Sequence, residues 1–153
     1  MSLHPQSKRL LKHDVQAVAI ACIDHRFSAG DGDRKAIKRV LGTEDVEFIQ
    51  IAGGAGCFAS IDGSVQASTH AKVALDVAVG KHHAQKILLT THTECGAYAL
   101  AGFTFIDFVK EMEFQTEELL KAKEAVQAIY PEKEVLAGFM LIDESDEPSV
   151  RLV

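Results

Sequence analysis

Val15-Gln16-Ala17-Val18-Ala19-Ile20-Ala21 runs apolar into Cys22-Ile23-Asp24-His25-Arg26. A second apolar run, Ile87-Leu88-Leu89-Thr90-Thr91, leads in the same way into His92-Thr93-Glu94-Cys95. Short, nearly continuous apolar runs read as strands buried on both faces, the habit of a parallel sheet. In such a sheet, sites form just beyond the carboxyl ends of the strands, so two stretches distant in sequence can feed one crevice. Here they would deliver two thiolates and an imidazole from Cys22, His92 and Cys95. That donor set suits a zinc ion and leaves one coordination position open.

Working outward, residues 28–33 are a loop rich in glycine and aspartate, and residues 34–41 carry Ile37, Val40 and Leu41 at helical spacing. Gly42 is a natural stop for that helix. Residues 46–51 read as a second strand that feeds the turn Gly53-Gly54-Ala55-Gly56, and residues 64–79 as a helix rich in alanine and valine. Residues 86–91 form the third strand. A long helical region, in one piece or two, then covers about 105–129 and ends at Tyr130-Pro131, because a residue before proline is pushed out of the helical region. Residues 135–142 are the fourth strand, 143–148 an acidic turn, and 149–153 a short returning edge strand. Residues 1–13, with Leu3, Leu10 and Leu11 among polar neighbours, read as an arm or short helix. The alternation of strand and helix implies an α/β fold. Its expected form is a mainly parallel four-stranded sheet with flanking helices, in a single domain over 1–153.

Composition narrows the class of partner. The chain has 153 residues, 47% of them hydrophobic and 25% charged, which is ordinary for a globular protein. A formal net charge of -6 argues against nucleic acid or an anionic membrane, and the cluster Lys8, Arg9, Lys12 is too small to reverse that. The first fourteen residues lack the apolar core of a signal peptide, and no window is long enough to span a bilayer. Three cysteines in that setting point to reduced thiols and a cytoplasmic location.

Taken singly, a cysteine at a strand end is a small buried hydrophobe and a histidine is a hydrogen-bonded residue. Two such motifs at the ends of two strands, the first with an Asp-x-Arg tail, outweigh those plain readings. At these residues the chain resembles the β-class carbonic anhydrases, whose zinc signature is Cys-x-Asp-x-Arg on one strand end and His-x-x-Cys on another. The glycine-rich turn between them, Gln50-Ile51-Ala52-Gly53-Gly54, matches that family's Arg-Asn-Ala-Gly-Gly in part. The resemblance runs from about Val15 to Tyr98, and more loosely to Ile142. It implies that Cys22, His92 and Cys95 hold zinc and that Asp24 and Arg26 form a catalytic dyad. It also implies reversible hydration of carbon dioxide to bicarbonate by zinc-bound hydroxide, making the chain a zinc lyase. Arg26 would keep Asp24 ionised and oriented, and Asp24 released from it would close the site as a fourth ligand. A homodimer or higher even oligomer is implied by the same resemblance.

Gln50 and Ile51 depart from the family's arginine and asparagine, and Glu94 stands where aspartate is usual. These departures bear on rate and substrate more than on metal binding. They keep open a non-catalytic zinc protein, or a hydrolase of carbon disulfide or carbonyl sulfide. The glycine turn also admits a phosphate-binding reading, but it lacks the Gly-x-Gly-x-x-Gly spacing and a Walker lysine. Thiol redox chemistry has no Cys-x-x-Cys to support it, and Cys57 reads as buried packing. His25 is a candidate proton carrier or a plain surface residue. His82 and His83 read as a solvated loop, and Phe103, Phe105 and Phe108 as core or interface.

Overall fold

The computed structural model describes residues 14–61, 65–142 and 144–153. The proposed arm at 1–13, the first residue of the helix expected from 64, and Asp143 lie outside the described residues. Five strands form one sheet: β1 (Ala17–Ala21), β2 (Val46–Gln50), β3 (Lys86–Thr91), β4 (Glu134–Ile142) and β5 (Pro148–Leu152). Their order is β2-β1-β3-β4-β5. The first four are parallel, with Ala17 opposite both Val46 and Lys86, and Lys86 opposite Glu134. Residues 149–153 do return as an edge strand. It starts at Pro148 and pairs antiparallel with β4, from Ile142↔Pro148 to Gly138↔Leu152.

Side chains alternate across a strand, and β1 shows the consequence. Val18 and Ile20 face a core shared with Ala71 and Leu75 of α3 (Val65–Gly80) and Leu119, Ala122 and Val126 of α5 (Phe108–Ile129). Ala17, Ala19 and Ala21 face the opposite core, with Ala36, Ile37 and Leu41 of α2 (Gly32–Leu41). All five residues of β1 are buried. The unbroken apolar run therefore reflects two helical layers, one on each face.

The remaining helices are short. α1 (His25–Ser28) and a 3-10 turn at Ala29–Asp31 occupy what the sequence offers as a loop, and α2 begins two residues before the expected start at 34. The join is made by Gly30 and Asp31, both in the left-handed backbone region at φ 59° and 58°. Gly42 closes α2 at φ 68°, a conformation glycine adopts without cost. The helical region expected from 105 begins at Phe108, because the Asp107 carboxylate accepts the Lys110 N–H at 2.9 Å and caps it there. α4 (Gly96–Leu100) is a separate turn directly after His-x-x-Cys. Among the described residues no helix is long and apolar enough to cross a membrane.

From β1 the chain crosses to β2 on one side of the sheet, then returns past β1 to β3 on the other. Strand order thus reverses at β1 and β3, and their carboxyl ends open a crevice. The Thr90 hydroxyl donates to the Ile20 carbonyl at 2.8 Å, binding the two strand ends just below it.

Candidate metal centre

Cys22 follows the last residue of β1, His92 follows the last residue of β3, and Cys95 is the N-cap residue of α4. The sheet register brings them together. The two Sγ atoms are 3.9 Å apart, and the donor atoms of Cys22, His92 and Cys95 all lie within 4.8 Å of one another. His92 is 2% exposed and Cys95 4%. The ring of His92 lies 4.7 Å from that of Phe27, which walls one side.

The imidazole is set for ligation. Its Nδ1 lies 2.6 Å from the Thr93 carbonyl oxygen. A carbonyl only accepts, so Nδ1 carries a proton, and the neutral ring then presents its lone pair on Nε2. That Nε2 is buried without a hydrogen-bond partner. A buried acceptor left unpaired carries a desolvation penalty, and a cation among the two sulfurs removes it. The donors also suit soft or borderline metals, with thiolate and imidazole the usual zinc ligands. These three residues could hold a metal ion.

The thiols are unequal. A hydrogen bond between them draws the Cys22 thiol far below its ordinary range, aided by the Gly53 N–H at 3.3 Å. The same bond, with burial, pushes Cys95 up.

Asp24 and Arg26 stand beside this cluster. Asp24 caps α1, its Oδ1 accepting the Arg26 backbone N–H at 3.0 Å. The guanidinium adds a two-pronged pair, Nε to Oδ1 at 3.1 Å and Nη2 to Oδ2 at 2.7 Å. Those bonds hold the carboxyl down at about 2. Asp24 Oδ2 is 3.7 Å from His92 Nε2, at the edge of the sulfur–nitrogen cluster.

The glycine turn closes the floor. Gly54 has φ 54°, and a Cβ there would come within 2.3 Å of the Thr90 carbonyl oxygen and 3.3 Å of the Cys22 nitrogen. Only glycine permits that approach. Gln50, in the place of the family's arginine, donates to Asp33 Oδ2 at 3.3 Å.

The sequence marks Glu94 only as standing where aspartate is usual, and the structure gives it more to do. Its carboxylate accepts from Arg26 Nη1 at 3.1 Å and its carbonyl from Nη2 at 3.2 Å. Its own N–H donates to Glu111 Oε1 of α5 at 2.6 Å. Glu111 was not singled out, although Glu111, Gln115 and Glu118 are all buried at helical spacing on α5. Such a polar stripe on a buried face was the available signal. Cys57 is buried, as expected. His25 is exposed. His82 meets Glu47 and His83 meets Asp14. Phe103 and Phe105 pack on Phe114, while Phe108 stays exposed.

A cleft of about 490 Å³ runs from Glu94 and Cys95 past Tyr98, Phe103 and Phe105 to Phe108. A larger one, about 890 Å³, follows the basic residues of α2 and contains none of the cluster; chemistry, not size, marks the site.

A family model described as putative carbonic anhydrase matches residues 12–148. No curated protein matches the sequence. Among solved structures, the β-carbonic anhydrase CcaA is 16% identical, with TM-score 0.56 over 98% of this chain and 82% of that one. A carbonic anhydrase from Glaciozyma antarctica is 14% identical, with TM-score 0.53 over 91% and 81%. A carbonic anhydrase from Streptococcus mutans is 15% identical, with TM-score 0.52 over 100% and 87%. Likeness at these identities concerns the fold.

Proposed function

We propose that this chain, which belongs to the family of putative carbonic anhydrases, reversibly hydrates carbon dioxide to bicarbonate with zinc held by Cys22, His92 and Cys95. The observation that carries this reading is the orphaned His92 Nε2, buried among two sulfurs with the Asp24–Arg26 pair at its edge. Zinc bound there supplies a Lewis acid that acidifies water and offsets charge developing on oxygen.

The chain's own groups do the rest. Ionised Asp24 accepts a hydrogen bond from the attacking water and turns the water's lone pair outward toward carbon dioxide. Arg26 keeps Asp24 ionised and fixes its orientation through two parallel bonds. Phe27 and the buried sheet ends exclude bulk water on one side of His92, which strengthens each of these interactions. The aromatic cleft beside Cys95 offers carbon dioxide an apolar approach.

We also infer a homodimer or higher even oligomer. Leu100 is 93% exposed and Ile106 95%, with Phe108 and Val109 beside them also exposed. Large apolar side chains gathered on one segment mark an interaction surface. Three cysteines, none in a disulfide among the described residues, suit a reducing compartment such as the cytoplasm.

The test is stopped-flow hydration of carbon dioxide by zinc-loaded protein. Zinc-dependent turnover that Asp24→Asn abolishes supports the reading. Stoichiometric zinc without turnover would replace it with a non-catalytic zinc protein.

A further inference from the structure

We propose that Glu111, on the helix that packs behind the site, is a positioning residue for the Asp24–Arg26 pair; this rests on the function proposed above. Glu94 sits between the two candidate ligands His92 and Cys95 at φ 54°, a left-handed conformation that glutamate rarely adopts and that its surroundings must impose. The bond from its N–H to Glu111 Oε1, at 2.6 Å, supplies that constraint. With the N–H tied to α5, the other polar atoms of Glu94 face Arg26: the carbonyl oxygen 3.2 Å from Nη2 and Oε2 3.1 Å from Nη1. Arg26 is thereby gripped from both sides, by Glu94 and by Asp24.

The relay Glu111–Glu94–Arg26–Asp24 starts from a fixed post. On α5, Leu119, Ala122 and Val126 are fully buried against the sheet. Glu111 itself is only 8% exposed. Burying a carboxylate there is costlier than burying an apolar side chain of the same size. Core packing gives no reason for it; the Glu94 turn does. Losing the acceptor frees Glu94 to return to ordinary backbone geometry, which withdraws its carbonyl from Arg26 and displaces Cys95 next in sequence.

Three variants separate hydrogen bonding from charge and from bulk. Glu111→Gln keeps the acceptor, Glu111→Met keeps the size without it, and Glu111→Asp keeps the charge but shortens the reach. Each is loaded with cobalt(II) in place of zinc. Its visible spectrum, its metal retention against a chelator and its kcat/KM are then compared with those of the parent chain. Expected is a parent-like Glu111→Gln, while Glu111→Met and Glu111→Asp show an altered cobalt spectrum and lose about tenfold or more in metal retention or kcat/KM. In an Arg26→Ala background, Glu111→Met should lower kcat/KM by clearly less than it does in the parent chain, since only the displacement of Cys95 remains, whereas a purely structural role would add its full effect. A parent-like Glu111→Met, a Glu111→Asp as good as Glu111→Gln, or additive losses would overturn the role of Glu111. A parent chain that takes up no cobalt would instead overturn the metal reading and this inference together.

Discussion

Asp24 Oδ2 lies 2.7 Å from Arg26 Nη2 and 3.7 Å from His92 Nε2, so one oxygen stands between the guanidinium and the candidate metal ligands. Removing the arginine frees that oxygen to move toward the cluster. Arg26→Ala is therefore expected to retain zinc while losing most hydration activity. Asp24→Asn should lower kcat/KM by at least about 100-fold, the usual scale for losing a proton-directing group. Stopped-flow rates on protein of measured zinc content check both.

Metal and stability should be linked. If zinc binds the folded chain alone, its presence at about 100 times Kd stabilises by about 2.7 kcal/mol. For a chain of this length that is roughly 5–10 °C in Tm. Stripping with a chelator should lower Tm by that order, zinc should restore it, and His92→Ala should abolish the response. Calorimetry with and without zinc decides the matter.

Gly54 is the tightest backbone approach at the site, a Cβ falling 2.3 Å from the Thr90 carbonyl. Gly54→Ala is expected to destabilise by about 1–3 kcal/mol through strain and forced displacement. It should also weaken metal retention, since the same Cβ crowds the Cys22 nitrogen at 3.3 Å. Gly80→Ala, where the added Cβ meets nothing within 4 Å, is the control. Denaturant titration measures both.

Much of this was legible in the sequence for a physical reason. β1 and β3 are buried on both faces, so they are written as apolar runs, and a cysteine–histidine motif at the end of such a run is hard to hide. What stayed illegible depended on partners far along the chain. Glu94 and Glu111 are separated by seventeen positions, and Arg26 and Glu94 by sixty-eight; no local pattern joins them. The start of α5 was misplaced because Phe105 continues the apolar pattern, whereas Asp107 sets the boundary by capping. The edge strand was foreseeable from Val150 and Leu152, yet its antiparallel sense is decided by the turn before it.

Glu118 is fully buried and binds the loop after the glycine turn to α4: it accepts the Ser60 N–H at 2.9 Å and the Tyr98 hydroxyl at 3.0 Å. Glu118→Ala removes the acceptor of these donors and of the Ser60 hydroxyl, and is expected to destabilise by about 2–4 kcal/mol. Glu118→Gln keeps acceptor capacity and should cost less. Urea unfolding of the two variants distinguishes them.

Tyr98 gives a pH signature. Burial, reinforced by the Glu118 carboxylate, raises its phenol well above its ordinary value of 10.0. The neutral form is thus favoured by folding. Its contribution is complete below about pH 10 and is lost as pH rises toward the folded-state value. Parent protein should lose stability more steeply than Tyr98→Phe above pH 10, and the two slopes should agree near neutrality. Equal slopes above pH 10 would refute the assignment.

The central claim is the identity of the metal centre, and X-ray absorption at the zinc edge of the purified protein addresses it directly. Expected is one zinc per chain with two sulfur neighbours at about 2.3 Å and the remaining nitrogen or oxygen neighbours at about 2.0–2.1 Å, the sulfur count falling to one in Cys22→Ser. No zinc uptake, or a shell built only of nitrogen and oxygen, would contradict the assignment of Cys22, His92 and Cys95.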